Sequence, residues 1–213
     1  MPKHTTIIRE YRSFLLFLAL IMVFRTGYAD WSPVPTSSME PTIYPGDVVW
    51  VDKTAYGPSL PFLNKRVFTW GHPERGDIVT LIPPHEDVLY VKRVIGLPGD
   101  TLHIEGNSIT VNGARLDQAL VEHGVDAVLG TEAIAGKVHA FKLSTERGIA
   151  YFGETITVPP GKLFVMGDFR NNSSDSRYWG FADESHVMGK VTAIAVSVAD
   201  ERSGLGRVAV PIH

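Results

Sequence analysis

Two cations sit inside an otherwise apolar stretch, Tyr90-Val91-Lys92-Arg93-Val94-Ile95, closed by the turn Gly96-Leu97-Pro98-Gly99-Asp100. A lysine held among apolar neighbours is a candidate base, because burial disfavours its charged form. A hydroxyl-rich segment, Pro35-Thr36-Ser37-Ser38-Met39-Glu40-Pro41-Thr42, offers candidate nucleophiles. The third segment runs from Gly167-Asp168-Phe169-Arg170 through Asn171-Asn172-Ser173-Ser174 to Asp175-Ser176-Arg177-Tyr178-Trp179-Gly180. It is dense in side-chain donors and acceptors and follows an apolar run. Each segment also has a plain structural reading: a linker, two cations snorkelling at a strand edge, and a polar loop. Alternation along the strand sets Lys92 beside Tyr90 and Val94, and Arg93 beside Val91 and Ile95. Both faces are partly apolar, so period two leaves open which cation points inward.

Other chemistries find little support. The eight histidines are dispersed, and none stands in a His-Glu-x-x-His arrangement, which disfavours a zinc peptidase. No Gly-x-Ser-x-Gly elbow and no Walker-type phosphate loop occurs. A net charge of −3 disfavours a nucleic-acid binder built on a broad basic surface. The absence of cysteine removes thiol nucleophiles, disulfides and cysteine-ligated zinc together.

The elements that must hold these residues read as strands. Val48–Val51, Ile78–Ile82, Val88–Ile95, Leu102–Glu105, Ser108–Val111, Thr155–Val158, Leu163–Met166 and Lys190–Val198 are short β-branched or apolar runs punctuated by Gly, Pro, Asn and Asp. Gly106-Asn107 is expected to close a hairpin and Asn112-Gly113 a second turn. A mainly β domain follows, with residues 117–150 as a weakly patterned insertion. Tyr56–Gly71 lacks alternation; it is expected to be a loop packed on the core or a surface touching a membrane.

Phe14–Phe24 is an unbroken apolar run of eleven residues. With flanking Tyr11, Tyr28 and Trp31 as an aromatic belt and Arg25 snorkelling, it reads as an anchor. Lys3, Arg9 and Arg12 precede it, and the positive-inside rule puts the N-terminus in the cytoplasm. Gly27-x-Ala29 leaves a cleavable signal peptide, cut before Asp30, as the competing reading. Either way the main domain is exported. The expected division is a cytoplasmic N-terminus at 1–12, an anchor at 13–31 and an extracytoplasmic domain at 32–213.

Together the three segments resemble bacterial type I signal peptidases. Ser38-Met39-Glu40-Pro41-Thr42 is similar to the family's nucleophile box, and Lys92-Arg93 with Gly96–Asp100 to its general-base box. Gly167-Asp168 through Ser173, Asp175, Ser176 and Arg177 resembles the third box, and Arg75-Gly76-Asp77-Ile78-Val79 the strand before it. The boxes stand in the family's order behind an anchor. The resemblance implies a signal-peptidase-like antiparallel β domain with an N-terminal transmembrane helix, in the inner membrane. It implies Ser38 as nucleophile and Lys92 as general base, with Ser173 hydrogen-bonding and aiming the amine. The Ser38 backbone N–H and the Thr36 hydroxyl would form the oxyanion hole, and Asp175 with Arg177 a bracing ion pair. Exported preproteins and the lipid bilayer are the implied partners; no cofactor, metal or nucleic acid is. Phe169 and Asn171 depart from the family's usual Gly-Asp-Asn-Arg-Asp, which puts the local loop geometry in doubt. The rival readings are a specialised conjugal-transfer-type Ser-Lys peptidase and a non-catalytic membrane-tethered β domain binding partners through Tyr56–Gly71; a self-cleaving Ser-Lys repressor is disfavoured, because no DNA-binding domain is read in the sequence.

Overall fold

Among the described residues of the computed structural model, fifteen strands, all paired antiparallel, make three sheets. The structure describes residues 11–17, 29–57, 66, 68–148, 153, 155–197 and 208–212. In chain order the strands are β1 Ala29–Pro33, β2 Asp47–Asp52, β3 Ile78–Leu81, β4 Tyr90–Gly96, β5 Thr101–Glu105, β6 Ser108–Val111, β7 Ala114–Arg115 and β8 Asp117–His123. They continue as β9 Ala127–Ile134, β10 Lys137–Ser144, β11 Thr155–Thr157, β12 Lys162–Met166, β13 Ala182–Asp183, β14 Val187–Ser197 and β15 Val208–Pro211. The largest sheet has the order β1-β2-β14-β3-β4-β12-β13, with β15 also pairing β14; β10-β9-β8 and β11-β5-β6-β7 are separate sheets.

Burial follows pairing. β2 alternates buried and half-buried side chains, so Val49 and Val51 face the core beside Val34, Met39 and Ile43. β4 lies between β3 and β12 and is buried on both faces from Lys92 onward. Val94 joins the cluster of Val79, Leu81, Leu163 and Val165, while Ile95 joins Leu102, Ile104, Ile109 and Phe164. A central strand with two packed faces shows no alternation, which is why period two could not orient its cations.

The expected hairpin at Gly106-Asn107 joins β5 to β6, and Asn112-Gly113 turns β6 into β7. Residues 117–144, weakly patterned in sequence, form the three-stranded sheet; β8 is almost wholly exposed, so its side chains carry no inward-outward signal. Two expectations at the N-terminus need correction or stand apart. Ala29–Trp31, placed at the end of the anchor, belong to β1 and pair with Asp52–Trp50, because their backbone groups find partners along β2. Residues 11–17 are helical, residues 18–28 of the expected anchor lie outside the described residues, and no helix among the described residues is long and apolar enough to cross a membrane. In the Tyr56–Gly71 segment the expected packing on the core is seen in part. Tyr56 is buried and Arg66 donates to the Tyr56 and Glu184 carbonyls, whereas Phe68 and Trp70 are exposed. Residues 58–65 and 67 lie outside the described residues.

Candidate active site

Ser38 stands in a single 3-10 turn, Ser37–Met39, that follows the extended residue Thr36. Fully buried Met39 plugs the turn into the core, and half-buried Ser38 is left at the surface of a cleft. Three contacts fix the turn. The Ser38 carbonyl accepts from Phe169 N at 3.1 Å, Asn172 Nδ2 donates to Ser37 Oγ at 2.9 Å, and Ile43 N donates to Met39 O at 2.9 Å. Gly167 is what lets the turn approach so closely. A Cβ there would collide with the Ser38 carbonyl and the Ser173 side chain.

Lys92 arrives from β4. Its Nζ donates to Ser38 Oγ at 2.8 Å and to Val91 O at 3.0 Å, and the residue is 3% exposed. Burial pushes the amine down from 10.5 to about 8; Asp175 and Asp168 oppose the shift through space and Arg177 adds to it. The Tyr90 ring lies 5.1 Å from Nζ. A neutral amine is therefore accessible near physiological pH, and in that state the same contact lets nitrogen accept the serine proton.

Arg93, on the opposite face, is equally buried. Its Nε and Nη2 grip the Asp168 carboxylate at 2.9 and 2.8 Å, and Nη1 donates to Gly76 O at 2.9 Å. Thr42 Oγ1 donates to the same carboxylate at 2.5 Å, tying it to the chain just beyond Ser38. The snorkelling reading of the two cations is overturned: both are interior, each with its own partner.

Of the other expected residues, Thr36 is exposed with its Oγ1 3.4 Å from Ser38 Oγ. Asp175 and Arg177 form a fully buried bidentate pair at 2.8 and 2.7 Å, not a surface one. Asp175 also accepts from Gly167 N at 3.0 Å and caps the short helix Ser176–Trp179. Ser173 is a correction. Its hydroxyl, expected to bond the lysine, is buried with no hydrogen-bond partner among the described residues, because it packs against Gly167 while the amine donates to Ser38 and Val91. Sequence reasoning left Asp168, Arg93 and Thr42 without a site role, although Arg93 in an apolar strand was the signal that a buried carboxylate must exist. Asn172 gave no such signal.

The pair opens into a cleft of about 300 Å³ whose walls are the Ser32–Ser38 segment and residues 88–92, with Asn172 and Ser174 at the end. Its lining is mostly apolar. Two extended segments facing each other across an apolar slot suit a peptide in extended conformation.

A hydroxyl paired with a desolvated amine at the mouth of such a cleft, on an antiparallel β scaffold, belongs to a serine hydrolase that uses an amine in place of imidazole. The profile of the family described as Signal peptidase, peptidase S26 matches residues 7–196, and the chain belongs to that family. Signal peptidase I of Pseudomonas aeruginosa is 33% identical over 218 residues, spanning 95% of this chain and 77% of that protein. Signal peptidase I of Rickettsia massiliae is 34% identical over 191 residues, spanning 79% and 71%. A crystal structure of a signal peptidase I from Enterococcus faecalis aligns with 56% of this chain and 97% of that one, at 29% identity and a TM-score of 0.38. The protein is a peptidase of the signal-peptidase type.

Proposed function

We propose that this chain is a membrane-bound serine endopeptidase that removes N-terminal signal peptides from exported preproteins, with Ser38 as nucleophile and Lys92 as general base. One observation carries the assignment: the 2.8 Å contact between Ser38 Oγ and an amine whose burial brings it to about 8. Neutral Lys92 removes the Ser38 proton as Oγ attacks the scissile carbonyl. The resulting ammonium returns the proton to the departing amine, and water, deprotonated by the same nitrogen, releases the acyl group. The oxyanion is stabilised by the Ser38 N–H and the Thr36 hydroxyl. Ser173, buried beside Gly167, supports the loop from which Asp175 and Arg177 brace the site.

Membrane attachment follows from the apolar Phe14–Phe24 run, with the N-terminus cytoplasmic and the peptidase domain extracytoplasmic. β1 begins at Ala29 and the cleft wall at Ser32, so on the order of 10 Å of extended chain separates the start of β1 from the substrate groove. Exposed Trp31 lies in that interval. Purified full-length enzyme in detergent should cleave several unrelated preproteins at the signal-peptide boundary. Cleavage of one dedicated substrate alone would favour a specialised peptidase, and cleavage of none would refute the assignment. Membrane-bound protein should begin upstream of Asp30 on N-terminal sequencing, because the Ala29–Asp30 bond lies within β1 paired to β2.

Two kinetic predictions arise from the geometry. The log of kcat/KM should rise with unit slope to a shoulder near pH 8, where the free enzyme's amine loses its proton; a limb at the ordinary lysine value would rule out a desolvated base. Thr36→Val should lower kcat by about 10²- to 10³-fold, as expected for one lost oxyanion donor, while Thr36→Ser retains most activity. Equal loss in both variants would assign Thr36 a packing role instead.

A further inference from the structure

The three-stranded sheet β8–β10 lies outside all four sequence boxes, yet it touches the nucleophile turn. Lys142 of β10 makes the contacts that reach it. Its Nζ reaches Glu40 Oε2 at 2.6 Å, two residues beyond Ser38, and the pair is mostly shielded, with side chains 24% and 12% exposed. The same ammonium sits 4.7 Å from the centre of the Phe169 ring, a cation–π geometry. The backbone of Lys142 is held from both sides: its N–H donates to Asp168 O at 2.9 Å and its carbonyl accepts from Arg170 N at 2.9 Å. These two bonds form a one-residue parallel bridge between Lys142 and Phe169. Phe169 N in turn donates to the carbonyl of Ser38 itself. A closed ring results: Ser38, Glu40, the Lys142 side chain, the Lys142 backbone, Phe169, and back to Ser38.

The two positions that depart from the family's third box both face β10. Phe169 supplies the ring beneath the ammonium. Asn171 accepts from Ser144 N at 2.7 Å and donates to the Ser144 and Arg147 carbonyls at 2.8 and 2.7 Å, clamping the strand's end to the loop. A second buried pair, Arg170 with Glu132 of β9 at 3.0 and 2.7 Å, fastens the same loop to the next strand. The loop that carries Asp168, Ser173 and Asp175 is thus seated on this sheet over four consecutive residues, 168–171. Lys142 extends the seat to the turn bearing the nucleophile.

We infer that Lys142 is a positioning residue for Ser38, acting through Glu40 and Phe169 and making the β8–β10 sheet part of the catalytic apparatus. The inference rests on Ser38 being the nucleophile. Ser38 Oγ must lie within hydrogen-bond reach of Lys92 and aim at the cleft; its turn is only one 3-10 turn long and has no helix to stiffen it. An ion pair of this exposure adds little to fold stability. Its effect falls instead on geometry, where a displacement of about 1 Å can cost about 100-fold in rate.

The test uses full-length enzyme in detergent and a preprotein substrate. Lys142→Met, which keeps the stem over Phe169 but loses the charge, should lower kcat by about 10- to 100-fold with KM within about twofold. Lys142→Arg should restore most of kcat, since it can still bridge Glu40 and the ring. Glu40→Gln, which breaks the same contact from the other side without touching β10, should reproduce the kcat loss. The double variant should be no slower than the slower single one, because both remove one contact. Wild-type kcat in both Lys142→Met and Glu40→Gln, multiplicative losses, or no rescue by arginine would overturn the inference. Ser38→Ala run beside them separates the two claims: if it still cleaves, the nucleophile assignment fails; if it is inactive while Lys142→Met is not slowed, only the role of Lys142 fails.

Discussion

Ser38→Ala and Lys92→Met should each reduce preprotein cleavage by more than about 10⁴-fold, and the double variant should be no worse than either single one. Groups that act as one unit lose their function together, so the losses do not multiply. Lys92→Met carries a second expected result of opposite sign. A depression from 10.5 to about 8 means that folding works against the protonated amine by about 3 kcal/mol at pH 7. Methionine fills the same space with no charge, so this variant should be inactive and more stable than wild type. The folded value lies below the unfolded one. Between about pH 8 and 10.5 the unfolded chain therefore binds more protons, and the wild-type protein gains stability as pH rises through that window. The stability advantage of Lys92→Met should shrink across the same interval, measured as the difference in urea midpoint between the two proteins. A methionine variant less stable than wild type at pH 7 would show that the ammonium is not penalised by its pocket. A variant that still cleaves would remove Lys92 from the mechanism.

Much of this arrangement was legible before any coordinates, and its illegible part has identifiable causes. The strands announced themselves through β-branched runs bounded by Gly, Pro and Asn, because turn chemistry is local. The boxes around Ser38 and Lys92 were legible as motifs. Orientation on β4 was not: the strand is packed on both faces, so Lys92 and Arg93 look alike in sequence although they point to opposite sides. Nor was the seat formed by β10. Lys142 stands in Lys137–Ser144, where buried His139 and Phe141 alternate with exposed or half-buried neighbours, and nothing local shows that its partner lies 102 positions earlier. Contacts of that separation are set by the sheet's placement, not by any pattern in the strand. Ser173 shows the reverse error. Its place in the third box was readable, but the direction of its hydroxyl depends on how closely Gly167 is approached, which only packing decides.

The second large prediction sets Arg93 against its neighbour. Arg93→Met should destabilise the domain by about 3–5 kcal/mol, the usual cost of leaving one member of a buried pair without the other. The pair is bidentate, with both side chains 1% exposed, and Thr42 is the side-chain donor to Asp168 that the substitution leaves in place. Burial alone would raise the Asp168 carboxyl; the charge and hydrogen bonds of Arg93 more than offset this and hold it below 3.8. Its stabilising contribution is accordingly present above the ordinary aspartate range and lost as pH falls through the depressed folded value. In Arg93→Met that carboxyl should instead be pushed upward, so the variant should be least stable near neutral pH and recover part of the loss on mild acidification. Arg93→Met/Asp168→Leu, which removes both charges, should recover more still. Two adjacent, equally buried cations of one strand thus give opposite results on the same substitution. Lys92→Met gains stability because no carboxylate among the described residues touches the amine, and Arg93→Met loses it because one grips the guanidinium at both ends. Melting temperatures of the two variants, taken side by side at pH 7, decide the matter. Shifts of the same sign would mean that partner identity does not govern the energetics of this strand, and the desolvated base would lose its physical foundation.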